Sequence, residues 1–323
     1  MSLSSFGARW RQRSLAAVAA ALALAGCGGD VYDPFQPTRI FSFGDGHSAM
    51  ASDGRKYTVN DLADCRNYRT WNQLVAENYG FAFAACNPSN LTGNRVAQLY
   101  ADETWTLANV RTQVEAQLPN LGTGDMVLLQ VGAQDVWALY AQDPSAVPPN
   151  YEDEGLCSQA NLPTTLREAC NRGADLGRLV QQITDRDARV LAIDVVNQGK
   201  TPRGLAEPVA GRTLLKALTD AFNSGFYNSF GNNSRKAAYA QVNNLVRLAT
   251  DGDSNTGYRF THEGTAACTV QPAIDCSTST VQSDYDTSLS SYKYVWADDL
   301  YFSPQMNRLI GNLAWQRAER HPY

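Results

Sequence analysis

Side chains able to carry nucleophilic or acid–base chemistry are few in this sequence of 323 residues, which has three histidines and seven cysteines. His321 lies in a polar C-terminal tail and His262 in a Ser/Thr-rich stretch, so both read as solvated groups. His47 belongs to the run Phe41-Ser42-Phe43-Gly44-Asp45-Gly46-His47-Ser48. No cysteine or second histidine accompanies it, so a metal site is not indicated and a surface or capping role is expected. Asp298 and Asp299 are adjacent but have no identifiable carboxylate partner, so the paired acids of a glycosidase cannot be placed. No metal and no cofactor are expected.

Six of the cysteines fall in three couples close in sequence: Cys65 with Cys86, Cys157 with Cys170, and Cys268 with Cys276. Six cysteines allow fifteen pairings, and proximity favours three local disulfides, as in an oxidising compartment. Metal ligation is the rival, without a C-x-x-C spacing or histidine cluster in its favour. The 27 Lys+Arg are scattered among 32 Asp+Glu, for a net charge of -5, and no basic stripe suited to nucleic acid emerges.

The elements that must position any site alternate along the chain. Arg39-Phe43, Met126-Val131, Val190-Val196 and Ala237-Val242 read as short buried strands. Between them lie helical patterns at Trp71-Tyr79, Leu107-Leu118, Leu176-Ile183 and Leu214-Phe222, with a last helix over Pro304-Arg317. Such alternation predicts an α/β fold, a parallel sheet between helical layers. Ligands of open parallel sheets bind beyond the carboxyl ends of the strands. Residues 138–172 and 250–290 interrupt the rhythm as insertions, each holding one cysteine couple. Tyr292, Tyr294 and Trp296 alternate on a further strand and read as core residues.

The N-terminal segment carries Arg9, Arg11 and Arg13, then an apolar stretch from Leu15 to Ala25 too short to span a bilayer as a mature helix. Leu24-Ala25-Gly26-Cys27 is similar to the lipobox of bacterial lipoproteins. The resemblance implies a signal over residues 1–26, lipidation of Cys27, a tether over 27–38 and a body over 39–323. The partner of Cys27 is then membrane lipid. Gly28 at the second position, where aspartate typically retains lipoproteins at the inner membrane, sets the expectation of outer-membrane attachment.

Five blocks resemble, in order, those of the GDSL (SGNH) ester hydrolases. They are Phe43-Gly44-Asp45-Gly46, Thr92-Gly93-Asn94-Arg95-Val96, Val131-Gly132-Ala133-Gln134-Asp135, Asp194 to Pro202, and Trp296-Ala297-Asp298-Asp299-Leu300-Tyr301. Gly54 to Asn60 followed by Trp71-Asn72-Gln73-Leu74 is similar to the segment before the first helix of lipase-like members. The resemblance implies a three-layer α/β/α sandwich of the flavodoxin-like kind and a Ser-His-Asp hydrolase. Carried over residue by residue, however, the nucleophile position is Gly46 and the base position Tyr301; only the aspartate remains, as Asp298. The oxyanion donors implied are the Gly46 and Gly93 amides and the Gln134 side chain. A non-catalytic binding or scaffold protein of the cell envelope is therefore expected, with an acyl-ester or glycan ligand in the cleft. The alternative is a divergent esterase using Ser48 as nucleophile with His47 or His262 as base.

Overall fold

The computed structural model describes residues 34–149, 155–230, 236–250 and 259–320. The chain divides into two units, Met1–Pro34 and Phe35–Tyr323. The signal segment, Cys27 and His321 lie outside the described residues.

Six strands form one sheet in which every pairing is parallel: β1 (Arg39–Gly44), β2 (Ala82–Phe83), β3 (Val96–Ala101), β4 (Asp125–Gln130), β5 (Arg189–Ile193) and β6 (Ala237–Ala240). Their order is β2-β3-β1-β4-β5-β6, so the chain goes from β1 to the edge strand β2, returns to β3 beside β1, and then runs outward on the other side through β4, β5 and β6. Side-chain alternation gives the strands two apolar faces. Phe41, Phe43, Val127, Leu129, Val190 and Ala192 face α2 (Leu107–Gln117), α3 (Ala133–Gln142), α4 (Thr164–Thr184) and α6 (Val209–Ser229). Ile40, Met126, Leu128, Leu191 and Ile193 face α1 (Trp71–Asn78), α7 (Val242–Thr250) and α8 (Pro304–Arg320). The result is the expected three-layer α/β/α sandwich, with strands buried on both faces as parallel sheets require. The short α5 (Pro202–Leu205) leads into α6.

The predicted strands and helices are present, most with ends shifted by a few residues, while the helix expected over Leu176-Ile183 already begins at Thr164. Two strands of this sheet, β2 and β3, escaped the sequence reading. The pattern of β3, Val-Ala-Gln-Leu-Tyr-Ala, is only partly buried, so its apolar signal is diluted. The insertion expected over 138–172 is shorter, since α3 runs to Gln142 and α4 begins at Thr164. The start of α4 was masked by small residues: a Cβ at Gly173 would lie 1.9 Å from the Phe222 carbonyl oxygen. Small residues here let α4 and α6 approach closely, at the expense of the apolar periodicity that marks a helix. Within 250–290, β7 (His262–Ala266) pairs in parallel with β8 (Tyr294–Trp296) as a separate two-stranded sheet. Trp296 and Tyr294 are buried in apolar clusters, as read.

All three local cysteine couples are disulfides, with Cα–Cα distances of 5.7–5.8 Å. Among the described residues no helix is long and apolar enough to cross a membrane.

Candidate functional site

The chain leaves the sheet at the carboxyl end of β1 through a turn closed by the Ser48 amide donating to the Asp45 carbonyl at 2.9 Å. The Asp45 amide donates to the Gln130 carbonyl of β4 at 3.1 Å, which fixes this turn above the middle of the sheet. Asp45 Oδ1 accepts from the His47 amide and lies 3.1 Å from His47 Nδ1. His47 is only 4% exposed, against the expectation of a surface or capping side chain. Its ring packs against Tyr301 and Phe302, each at a centroid distance of 5.0 Å, because the turn points it inward under the 296–302 segment. Ser48 is buried as well: its Oγ accepts from Trp71 Nε1 at 3.1 Å and its carbonyl accepts from Asn72 Nδ2 at 2.9 Å. This hydroxyl ties the turn to α1 and does not face the cleft of an attacking nucleophile.

Gly46 and Tyr301 meet across the site. A Cβ placed on Gly46 would sit 2.4 Å from Tyr301 Oη and 2.6 Å from two of its ring carbons. The phenol therefore fills the space that a nucleophilic side chain at Gly46 would need. Tyr301 is buried, and burial, followed by the nearby charges of Asp45, Asp298 and Glu103, pushes its hydroxyl well above the usual phenol range. It remains protonated and cannot serve as a base at neutral pH. Its hydroxyl donates to the Glu103 carbonyl at 3.4 Å.

Asp298 is spent on the backbone. Oδ1 accepts from the amides of Leu300 (2.9 Å) and Tyr301 (2.8 Å), and Oδ2 accepts from the Ala273 amide (2.9 Å). Burial raises its pKa, while the Tyr301, Leu300 and Ala273 amides hold it down. The carboxylate that orients a histidine in a Ser-His-Asp site here shapes the turn presenting Tyr301. It also anchors the loop closed by Cys268 and Cys276.

The oxyanion expectation needs correcting. Gly93 opens an exposed turn before β3, and β3 runs parallel to β1 with Ala101 beside Gly44. Gly93 is thus at the amino end of the strands, opposite the site, and its amide cannot reach a ligand beside Gly46. The segment that does reach the site follows β3: Asp102, Glu103 and Thr104. Glu103 was missed by the sequence reading because β3 was missed, which hid which end of this segment faces the cleft. Its carbonyl accepts from Gln134 Nε2 at 2.9 Å as well as from Tyr301 Oη, and its carboxylate, after burial, helps push the Tyr57 phenol above its ordinary range. The Gln134 amide is therefore turned onto the protein's own backbone. Asp135, the next residue, is buried and caps α2 by accepting from the Leu107 amide at 2.8 Å, with Arg172 on its other oxygen.

Above Tyr301 a cavity of about 530 Å³ remains, lined by Glu103, Thr104, Gln134, Arg203, Asp299 and Tyr301 among others. Its wall carries the acidic Glu103 and Asp299 beside the donors Arg203, Gln134 and Thr104. His262 lies in β7, with Nε2 2.9 Å from Asp284 Oδ2 and its ring stacked on Tyr294 at 4.3 Å. No contact joins it to Gly46 or Ser48 among the described residues. Among them, no three His, Cys, Asp or Glu side chains converge as metal ligands would.

No family model matches this chain, and no curated protein does. Among solved structures it is similar to the phospholipase A1 from Streptomyces albidoflavus (13% identity, 87% of this chain and 98% of that chain, TM-score 0.42). It is also similar to an extracellular lipase from Streptomyces rimosus (14%, 87% and 99%, 0.41). A third likeness is to the esterase EstA from Pseudoalteromonas sp. (13%, 87% and 96%, 0.39). At these TM-scores the likeness carries no argument about activity, which rests on the geometry of the site itself. By its own strand order, the chain is a doubly wound α/β/α sandwich with its candidate site at the carboxyl end of the central strand.

Proposed function

We propose that this chain is an exported, lipid-anchored envelope protein of the SGNH/GDSL type in which ester hydrolysis has been lost and the cleft serves binding or scaffolding. The observation that carries this reading is the Tyr301 phenol, 2.4 Å from where a Gly46 Cβ would stand. A serine lost by drift would leave a hole, whereas here the space is filled from the base position. The two replacements fit each other, and Asp298 and Gln134 are bound to the backbone around them. The polar cleft wall of Glu103, Thr104, Gln134, Arg203 and Asp299 favours a hydroxyl-rich ligand such as a glycan over an acyl chain. Export is supported by the Leu24-Ala25-Gly26-Cys27 motif and by three disulfides that suit an oxidising compartment. Gly28 supports attachment at the outer membrane.

The test is fluorophosphonate labelling of the full chain, read by mass spectrometry. The natural chain is expected to stay unlabelled under conditions that saturate an active serine esterase. A covalent adduct on any of its residues, Ser48 included, overturns the reading and names the nucleophile.

A further inference from the structure

The closed site keeps one group that nothing in it uses. His47 is 4% exposed, its Nδ1 lies 3.1 Å from Asp45 Oδ1, and its Nε2 is buried without a hydrogen-bond partner. In the neutral tautomer that donates Nδ1–H to Asp45, Nε2 is a bare lone pair. A buried acceptor left without a donor is a cost, and here it lies on a ring packed against Tyr301 and Phe302. A carboxylate holding one imidazole nitrogen while the other stands unpartnered is the arrangement that makes histidine a proton acceptor. Here it arises from the turn after β1, not from the position of Tyr301. The Tyr301 ring lies edge to face with the imidazole, and the same phenol fills the space beside Gly46.

We propose that Asp45 and His47 form a competent general base sealed behind Tyr301, so that the site hydrolyses small activated esters once that ring is displaced. The inference rests on the reading that Tyr301 closes the cleft. In the step itself, a water oxygen bonds to the acyl carbon while its proton passes to His47 Nε2. The ester C–O bond then breaks, the alkoxide or phenolate leaves, and the imidazolium returns its proton to solvent.

The experiment compares the full natural chain with Tyr301→Phe, Tyr301→Ala and Tyr301→Ala/His47→Gln. One readout is diethyl pyrocarbonate modification of His47, mapped by peptide mass spectrometry against the half-exposed His262 as internal reference; the other is hydrolysis of p-nitrophenyl acetate. In the natural chain and Tyr301→Phe, His47 is expected to react far more slowly than His262. In Tyr301→Ala the two become comparable, and hydrolysis rises at least ~10-fold over the double variant, toward the range of a positioned general base. The inference is overturned if His47 becomes reactive in Tyr301→Ala while hydrolysis equals that of the double variant, or if removing the ring leaves His47 protected. Should Tyr301→Ala lose cooperative thermal unfolding, Tyr301→Leu, which withdraws the phenol but keeps an apolar filler, is read by the same criteria. A natural chain that takes up fluorophosphonate would instead strike at the closed-site reading, so the two failures are distinguishable.

Discussion

A methyl group added at Gly46 meets the Tyr301 hydroxyl at 2.4 Å, and the ring cannot retreat easily because His47 and Tyr57 flank it at 5.0 Å. Gly46→Ser alone is therefore expected to lower stability by about 1–3 kcal/mol, the usual cost of overpacking a filled site. Joined to Tyr301→Ala, the same serine enters open space, so the double variant should be more stable than the sum of the single effects predicts. Urea unfolding of the four chains measures this coupling. Additive effects would mean that the two side chains do not compete for one volume. The pairing of Gly46 and Tyr301 as candidate positions was legible in the sequence, because a resemblance by blocks identifies positions one at a time. Their mutual fit was not legible, since no local pattern reports that two distant residues share a space.

Elements decide where each turn delivers its side chains. Asp194 follows β5 and is buried, accepting from the Asn243 amide at the start of α7 (2.9 Å) and from the Tyr239 hydroxyl (3.2 Å). Burial pushes its pKa from the ordinary 3.8 up to about 7, against the lowering effect of the Asn243 and Val242 amides and Tyr239. Between those two values the unfolded chain releases a proton that the folded chain retains, so this group's contribution to stability is complete below about pH 4. It falls as pH rises and is lost above about pH 7. Asp194→Asn should flatten that part of the pH profile of the urea midpoint while leaving the rest unchanged; an unaltered slope would show that another group carries it. The misplacement of Gly93 belongs to the same scale. The sequence supplied the glycine, but the direction of β3 puts it at the far end of the sheet, and Glu103 takes the place beside the site.

For the molecule as a whole, attachment and chemistry separate. Cys27 lies outside the described residues, and the proposed lipid anchor would require no membrane-spanning helix. Cys27→Ser is expected to abolish incorporation of radiolabelled palmitate and to move the chain from the membrane to the soluble fraction, with the thermal unfolding of the body unchanged. Palmitate retained by the variant would remove the lipoprotein reading without touching the closed-site one. By itself the sequence determined the alternation of strands and helices and the three disulfide couples, because periodicity, spacing and residue identity are local properties. Only the tertiary structure decided that His47 and Ser48 are buried, that Gly93 is remote, and that the phenol of Tyr301 occupies the room a side chain at Gly46 would need. Those outcomes depend on which way strands run and on what packs from distant parts of the chain, where close packing leaves one volume for one occupant.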